Sequence, residues 1–433
     1  MSALTLALIL MLALCLLLAS GLWIGMSLAA IGFIAIALSN GQPGMFLATS
    51  FWESTGSWTL AALPLFVWMG EILFRTRLSS EVFNGIAPWV RRVPGGLLHV
   101  NVFACGLFGS VSGSSAATCA TVSKIAVPEL KRRGFDEDVA LGSLATSGTL
   151  GILIPPSIIM VVYAVAAEVS IIRVFIAGFV PALIVMALFS LYISVWAMLN
   201  PKKQPPRPDE MSLVEKLRTS AQLIPCILLI IAVIGSMFVG VATATEAAAC
   251  GVLGSLILAL ATRSLTWASF WESVMGATRT SSMVLFILAG AGLLTKAMAL
   301  TGIPAALAQA AVAMDLGPYG LIAVLTVIYV LLGMALDGVS MIVLTTSIVI
   351  PIVQAAGFDL VWFGVFVVLL VEIAQVTPPV GFNLFVMQAL TGVSQGRIAR
   401  ASFPFFMMLL LTVAIITAFP SITGWLPDLL LSR

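Results

Sequence analysis

Long apolar segments follow one another along most of this 433-residue chain, and they limit the folds that are open to it. A segment of about 20 apolar residues matches the thickness of the hydrocarbon core of a bilayer. Only 9% of the residues are charged, whereas a soluble domain carries about 25%. We therefore predict an all-α integral membrane protein with about ten membrane crossings. The predicted segments run 3–19, 22–39, 59–74, 97–127, 139–166, 171–199, 223–240, 246–262, 281–299, 319–351, 361–390 and 402–419.

The two halves of the chain share prolines and glycines at a constant offset of 223 positions. Both residue types constrain the backbone, so a shared position predicts a shared helix break. Internal repeats of this kind are typical of secondary transporters. We predict a first repeat over 1–199, a polar, Pro-rich cytoplasmic linker over 200–222, and a second repeat over 223–433. The paired residues are Pro128 and Pro351, Gly134-Phe135-Asp136 and Gly357-Phe358-Asp359, Pro155-Pro156 and Pro378-Pro379, and Pro181 and Pro404.

Small polar breaks inside 97–127 and 319–351 predict that each of these segments is a re-entrant helical hairpin. Each repeat then crosses the membrane an odd number of times, so the second repeat must be inverted relative to the first. With the linker on the cytoplasmic side, every Lys and Arg except Arg173, Lys296 and Arg433 falls on that side. This asymmetry agrees with the retention of positive charge in the cytoplasm, and it places both termini in the periplasm.

The tip of the first hairpin has the sequence GSVSGSS at 109–115, with four serines and three glycines in the middle of an apolar segment. Irregular backbone within a bilayer must face protein or water, because unpaired polar groups are costly in hydrocarbon. The tip therefore favours a buried polar site. A helix-packing interface of small residues is the alternative explanation of the same pattern.

A Pro-Pro pair stands in each repeat, in ILIPPS at 152–157 and in VTPPVG at 376–381. Proline removes a backbone donor and clashes with the preceding turn, so broken helices are predicted over 139–166 and 361–390. The carbonyls that such breaks release suit a hard cation such as Na⁺. We expect two Na⁺ sites, each between a hairpin and a broken helix. Site 1 comprises Ser110, Ser112, Gly151, Ile154 and Ser157, and site 2 comprises Gly333, Asp337, Ala374, Thr377 and Val380.

Ionisable side chains inside apolar segments are costly in lipid and by default mark functional positions. Asp337 is one of them and stands at the tip of the second hairpin. Glu71 and Lys296 lie near helix ends, where snorkelling towards the interface explains them equally well. Glu246 stands where a helix begins, so it is also a candidate partner of the helix dipole. For Glu372 a packing role and a direct role both stay open.

Motifs for catalysis or metal binding are missing from the sequence. There is no HExxH, GxSxG or GxxxxGK[ST] pattern, and the one histidine, His99, has no evident partners for a metal or a catalytic site. We therefore expect a protein that is not an enzyme. A net charge of +2 without a basic patch also gives no indication of nucleic-acid binding. The stretches 78–90 and 265–273 mix aromatic and charged residues, which predicts interfacial amphipathic helices or simple connecting loops.

The order of these motifs resembles the large membrane subunit of tripartite ATP-independent periplasmic (TRAP) transporters. The resemblance rests on FGSVSGSSAATCATVSKIAVPELKRRGFDEDVA, on ILIPPS and, in the second half, on LDG, GFD and TPPVGFNLFV. It implies an elevator-type fold with inverted repeats in a bacterial inner membrane, and Na⁺-coupled import of an organic acid such as a C4-dicarboxylate or a sialic acid. Ser114, Ser115 and Asn383 would then contact the carboxylate substrate. Ala374 stands where the family usually has a glycine.

The same resemblance implies two protein partners. These are a small four-helix membrane subunit on a separate chain and a periplasmic protein that delivers the substrate, with Na⁺ as the coupling ion and no organic cofactor. Three alternatives stay open. A stand-alone ion-coupled anion transporter of the same fold would bind no small subunit, an intramembrane enzyme would need a catalytic dyad or metal cluster, and an ABC permease would depend on an ATPase.

Overall fold

The computed structural model describes residues 3–39, 42–76, 78–205, 211–304, 306, 309, 317–334 and 336–431. Part of the predicted linker (206–210), Ala335 of the second predicted hairpin, and Arg77, Arg207 and Arg433 of the charge pattern lie outside these residues. Within the described ranges every regular element is a helix, which confirms the prediction of an all-α protein.

The first half of the chain forms a series of helices that covers all of its predicted apolar segments. A 3₁₀ segment, Gly148–Ile152, continues the eighth of these helices up to the first Pro-Pro pair. The helices are α1 (Ala3–Ala19), α2 (Ile24–Leu38), α3 (Pro43–Thr55), α4 (Ala62–Phe74), α5 (Leu78–Val90), α6 (Leu98–Ser112), α7 (Ser115–Arg132), α8 (Glu137–Ser147), α9 (Ile158–Ala166) and α10 (Ile171–Leu199).

The helices of the second half are α11 (Leu213–Ser220), α12 (Ile224–Phe238), α13 (Ala244–Ala261), α14 (Trp267–Thr301), α15 (Gly317–Gly333), α16 (Gly338–Ala355), α17 (Leu360–Gln375), α18 (Phe382–Thr391), α19 (Gln395–Ala418) and α20 (Ser421–Leu431). In this half, α15–α19 follow the same order as α6–α10 of the first half: a helix pair, a broken helix and a long helix. Helices α7 and α16 begin and end 223 positions apart, and α8 and α17 begin 223 positions apart. The offset between the prolines therefore also holds for helix boundaries.

Capping side chains set these equivalent helix starts. Asp136 accepts a hydrogen bond from a first-turn amide of α8 at 3.2 Å, and Asp359 does the same for α17 at 2.8 Å. Ser114 caps α7 and Asp337 caps α16 through their side-chain oxygens. An N-cap side chain satisfies one of the backbone amides that have no partner within the helix, so it fixes where the helix begins.

Both predicted broken helices are interrupted at their Pro-Pro pairs. The first runs from α8 through the 3₁₀ segment to α9, and the second runs from α17 to α18 with the break at 376–381. Both predicted hairpins are helix pairs with short turns, α6–α7 and α15–α16. In the first turn Gly113 has a φ of +59°, a left-handed conformation that costs glycine no Cβ clash.

The helices pack in two groups. Helices α2, α3 and α4 pack against α13 and α14, while the hairpins pack on the broken helices. The second arm of each hairpin also reaches the other half of the chain, since α7 packs on α18 and α16 packs on α9. Helices α4 and α14 of the first group contact α6 and α16 respectively, so each half presents one such helix to a hairpin.

The predicted separation of an interfacial helix at 265–273 from a crossing at 281–299 is wrong. One helix of 35 residues, α14, runs from Trp267 to Thr301 through both stretches. It begins at a capping box in which Thr266 and Ser269 satisfy each other's backbone amides, and no proline interrupts it before its end at Gly302. Helices α3 and α20 were not predicted either, because both mix apolar and polar residues over fewer than 14 positions.

Six helices among the described residues are long and apolar enough to cross a membrane, judged by length and composition. They are Ile171–Leu199, Leu213–Phe238, Ala244–Ala261, Trp267–Thr301, Gly338–Ala355 and Gln395–Ala418. Other predicted segments form apolar helices of 10–17 residues, among them Thr5–Ala19 and Leu360–Gln375. This count is lower than the ten crossings predicted, because helices that are short or interrupted at a proline pair do not reach the length of a continuous span. The chain is nevertheless a multi-pass membrane protein.

Candidate functional site

The tip of the first hairpin lies directly against the broken helix of the same half. A Cβ atom placed on Gly109 would stand 2.6 Å from the Cα of Gly151 in the 3₁₀ segment, closer than real Cβ contacts come. A Cβ atom placed on Gly113 would stand 3.0 Å from the carbonyl oxygen of Pro156. The two backbones therefore approach each other as closely as glycine allows, and the structure joins the two elements that site 1 requires.

Three oxygen atoms converge behind this contact, next to the backbone of Gly151. Ser112 Oγ lies 2.7 Å from Thr118 Oγ1, which donates to the carbonyl oxygen of Ser114 at 2.8 Å. Ser112 Oγ also lies 3.3 Å from that carbonyl oxygen. A Cβ atom on Gly151 would stand 2.6 Å from Thr118 Oγ1 and 2.9 Å from the Ser114 carbonyl oxygen. The result is an oxygen cluster of Ser112, Ser114 and Thr118 that faces Gly151.

Thr118 was missed as a member of this cluster. It stands four residues after Ser114 on α7, so the helical period puts it over the hairpin turn. A search of the sequence for hydroxyl residues one turn beyond the predicted tip would have found it, and in the structure its side chain is fully buried.

The other predicted members of site 1 have local partners. Ser110 Oγ donates to the carbonyl oxygen of Leu107 at 2.7 Å, within its own helix. Ser157 caps α9 and donates to the carbonyl oxygen of Ile152 at 2.5 Å, which closes the loop at the Pro-Pro pair. Ile154 is buried in that loop. The structure thus brings Ser112 and Gly151 into one cluster, while the hydroxyls of Ser110 and Ser157 are held by nearby carbonyls.

Site 2 is built from the same elements with different side chains. A Cβ atom on Gly333, at the end of α15, would collide with the Cβ of Ala374 on α17, so hairpin and broken helix again meet at a glycine. Thr377 is buried and donates from Oγ1 to the carbonyl oxygen of Ile373 at 2.6 Å. At the position equivalent to Thr118 stands Met341, whose sulfur would lie 3.4 Å from that Gly333 Cβ.

Two predicted members of site 2 are engaged elsewhere. Asp337 caps α16 by accepting from the amides of Val339 and Ser340 and from the Ser340 hydroxyl. By the 223-residue offset it corresponds to Ser114 and not to Ser112. Val380 is 38% exposed, and its carbonyl oxygen accepts a hydrogen bond of 2.7 Å from Gln395 Nε2. This Gln395 contact could not be predicted from the sequence, because it depends on the turn that leads α18 back to α19.

The three residues predicted to bind substrate lie together at the first hairpin. Ser115 Oγ donates to Asn383 Oδ1 at 3.0 Å, and Asn383 Nδ2 donates to the carbonyl oxygen of Ala145 on α8 at 2.9 Å. Ser114 accepts from the amide of Ala117 at 3.4 Å as the cap of α7. Ser115 and Asn383 are both buried, so in this conformation they tie α18 of the second half to the hairpin and broken helix of the first.

Two ionisable residues of the apolar segments, Glu71 and Lys296, form salt bridges. Glu71 pairs with Arg75 at 3.2 Å one turn along α4. Lys296 on α14 pairs with Glu53 on α3 at 2.6 Å. Both pairs lie within the group of α2, α3, α4, α13 and α14, which gives Glu71 and Lys296 a place in helix packing.

Glu246 and His99 have structural partners. Glu246 forms a capping box with Thr243 at the start of α13, as expected for a carboxylate at a helix N-terminus. His99 is buried, and its Nε2 lies 2.8 Å from the carbonyl oxygen of Pro94. Neither residue belongs to the hairpin sites.

Comparison with known proteins places this geometry in a family context. Residues 10–422 match the model of a family described as "Tripartite ATP-independent periplasmic transporter, DctM component". The C4-dicarboxylate TRAP transporter large permease protein DctM of Pseudomonas aeruginosa is 33% identical over 403 residues, covering 93% of this chain and 94% of that protein. The ectoine/5-hydroxyectoine TRAP transporter large permease protein UehC of Ruegeria pomeroyi is 30% identical over 377 residues, covering 87% of each chain.

A solved transporter structure shares the fold. The YdaH transporter of Alcanivorax borkumensis superposes with a TM-score of 0.62 at 14% sequence identity, and the match covers 88% of both chains. At this identity the likeness concerns the arrangement of helices alone. It shows that the succession of helices described above is an architecture that transporters use.

Proposed function

Because the chain belongs to the DctM component family of tripartite ATP-independent periplasmic transporters, we propose that it couples the import of an organic acid to a Na⁺ gradient. As a large permease it is the translocating subunit of its transporter and not an enzyme. One relative is named for C4-dicarboxylates and another for ectoine, which both carry a carboxylate. A carboxylate is therefore the substrate class that the family context supports.

The observation that carries the Na⁺ proposal is the oxygen cluster of Ser112, Ser114 and Thr118 facing Gly151. Na⁺ is a hard cation that prefers oxygen ligands, and hydroxyl and carbonyl oxygens are what a hairpin turn and a broken helix supply. Gly151 brings the backbone of the 3₁₀ segment against the same oxygens. In the second half Gly333, Ala374 and Thr377 provide the corresponding backbone contact with one hydroxyl.

Substrate recognition would use the helix starts beside these oxygens. The N-terminus of α7, at Ser114 and Ser115, carries the positive end of a helix dipole and unpaired amides, which suit a carboxylate. Asn383 joins Ser115 to α8, so a carboxylate that displaced this hydrogen bond would act on both halves of the chain. Binding of the ion and binding of the substrate would then stabilise the same arrangement of the two hairpins.

Movement would take place where the hairpins slide past α4 and α14. A Cβ atom on Gly70 of α4 would stand 2.8 Å from the carbonyl oxygen of Ser112, so α4 touches the hairpin tip with no side chain between them. We propose that the hairpins and broken helices move as one block, in an elevator manner, against the group of α2, α3, α4, α13 and α14. A glycine at this contact leaves no side chain to obstruct such sliding.

The proposed assembly lies in the inner membrane of a bacterium with both termini in the periplasm. Its partners would be a small four-helix membrane subunit and a periplasmic binding protein, which would complete a tripartite transporter.

Uptake into proteoliposomes tests the function. The chain, its small subunit and its binding protein are reconstituted, and labelled organic acid is supplied outside with an inward Na⁺ gradient. We expect accumulation that stops when choline replaces Na⁺ at equal ionic strength. Uptake that is unchanged in choline would refute the Na⁺ coupling. Uptake by the chain alone, without the small subunit or binding protein, would favour the stand-alone transporter instead.

The inverted orientation of the two repeats gives a second prediction, for which the chain offers a matched pair of positions. Lys131 and Gln354 are exposed, stand at the feet of the two hairpins and lie 223 positions apart. In a background without native cysteines, we expect Lys131→Cys to react with an impermeant thiol reagent only after cells are opened, and Gln354→Cys to react in intact cells. Labelling of both from the same side would show that the repeats are parallel.

A further inference from the structure

Glu372 stands out among the buried polar residues of the described chain. It lies on α17, one turn before the second Pro-Pro break, and is 0% exposed. Within the described part of the chain neither carboxylate oxygen has a hydrogen-bond partner, and the side-chain oxygen of Gln375, three residues on, is buried without a partner as well. Residues three apart lie on neighbouring parts of a helix surface. Three buried side-chain oxygens on neighbouring helix positions are therefore without a donor among the described residues.

This group is distinct from site 2. The hairpin α15–α16 touches α17 at Val371 and Ala374, where Cβ atoms on Gly338 and Gly333 would collide with it. Since successive helical residues turn by about 100°, Glu372 points roughly 160° away from Ala374. Glu372 therefore lies on a different side of α17 from Ala374, and α17 also packs against α9, α10 and α19.

A buried carboxylate needs a compensating charge or proton, because burying an isolated charge costs far more than any packing gain. A cation is favoured at this place by two features. The C-terminal end of α17 carries the negative end of the helix dipole. The neighbouring Gln375 oxygen adds a neutral ligand, and oxygen sets of this kind suit a hard monovalent cation.

We propose that Glu372 and Gln375 form a third cation site, which binds Na⁺ at the C-terminal end of α17 independently of the two hairpin sites. The site deepens the Na⁺ coupling proposed above and rests on it for its effect on transport. It differs from the hairpin sites in chemistry, because its ligands are side chains and one of them is charged. It also has no counterpart in the first half, where Thr149 and Ile152 stand at the equivalent positions.

Two measurements on the same variants test the site. The first is the melting temperature of the purified complex with its small subunit, titrated with NaCl against choline chloride at constant ionic strength. A ligand that binds the folded state raises the melting temperature with its concentration. The second is the Na⁺ dependence of uptake in proteoliposomes. Glu372→Gln keeps the size of the side chain and mimics the neutral acid. Gln375→Ala removes the second ligand and leaves the charge of the site unchanged.

For Glu372→Gln we expect the Na⁺ concentration for half-maximal uptake to rise at least about tenfold and the Hill coefficient to fall by about one. Stabilisation by NaCl should shrink, with little change of melting temperature in choline. Gln375→Ala should shift the same quantities in the same direction by less. Glu168→Gln, at an exposed loop position, is the control and should match the wild type in both measurements.

The outcomes separate this site from the proposed function. If the wild type responds to Na⁺ and both Glu372→Gln and Gln375→Ala follow its titration curves, the third site is refuted and the hairpin sites stand. A carboxyl that is simply neutral in the protein would give this result, since glutamine imitates it. If the wild type shows no Na⁺ response in either measurement, the Na⁺ coupling itself fails. Should Glu372→Gln not fold, the curves of Gln375→Ala decide.

Discussion

Replacing Gly151 with valine is expected to lower Na⁺-driven uptake at least about tenfold, because the new side chain would occupy the oxygen cluster of the first hairpin. The first added atom alone would stand 2.6 Å from Thr118 Oγ1 and 2.9 Å from the Ser114 carbonyl oxygen. Overpacking of this kind typically costs about 1–3 kcal/mol, and a change of about 1.4 kcal/mol in binding is tenfold in affinity. Hairpin and broken helix would have to separate, and with them the proposed ion ligands.

The control for this variant is Gly396→Val. Gly396 lies in the first turn of α19, and a Cβ atom placed there meets nothing within 4 Å. Uptake by the complex in proteoliposomes and its melting temperature are measured for both variants. We expect Gly396→Val to retain uptake and Gly151→Val to lose it while the complex still assembles with its small subunit. Normal uptake by Gly151→Val would remove site 1 from the mechanism.

The elements that the sequence predicted well are those whose cause is local. Pro155-Pro156 and Pro378-Pro379 interrupt their helices because proline cannot donate a backbone hydrogen bond, and this holds in any surroundings. Asp136 and Asp359 begin their helices by capping, which also needs no distant partner. For the same reason α8 and α17 begin 223 positions apart.

The features that could not be predicted depend on contacts between distant parts of the chain. The family resemblance groups Asn383 with Ser115, but the hydrogen bond between them, across 268 positions, is visible only in the fold. The lack of a partner for Glu372 is equally a property of the packed fold, because only the fold shows that no donor from the described residues reaches it. The length of α14 was underestimated because its charged residues suggested an interface, whereas its caps allowed one continuous helix.

The two hairpin sites are related by sequence offset but not by chemistry, and this difference matters for ion binding. Site 1 has a pair of hydroxyls 2.7 Å apart, Ser112 and Thr118. Site 2 has Met341 in place of Thr118 and Ala374 in place of Gly151, so Thr377 is the hydroxyl on which it depends. A thioether is a weak acceptor, and it suits a hard cation poorly. Loss of Thr377 should therefore harm site 2 more than loss of one serine harms site 1.

Ser112→Ala and Thr377→Ala test this order. A hydrogen bond or ligand contact to a charged group contributes about 1.5–3 kcal/mol, so each loss should raise the Na⁺ concentration for half-maximal uptake roughly tenfold or more. We expect the larger shift for Thr377→Ala, and a double variant whose shift is close to the product of the two, since the sites share no ligand. Melting temperatures in choline should change little, because each hydroxyl bonds mainly to a neighbouring carbonyl or hydroxyl.

Thr391→Ala is the matched control for Thr377→Ala. Thr391 donates from Oγ1 to the carbonyl four residues earlier at 2.7 Å, just as Thr377 does at 2.6 Å, but it lies at the far end of α18. Thr391→Ala therefore measures the effect of losing such a local hydrogen bond alone. We expect the Na⁺ dependence of uptake by this variant to equal that of the wild type. If Ser112→Ala and Thr377→Ala both keep wild-type Na⁺ dependence, hydroxyls at the hairpins do not bind the coupling ions. The two-site assignment would then have to be abandoned. The remaining ligands are backbone carbonyls, which every residue has whatever its side chain.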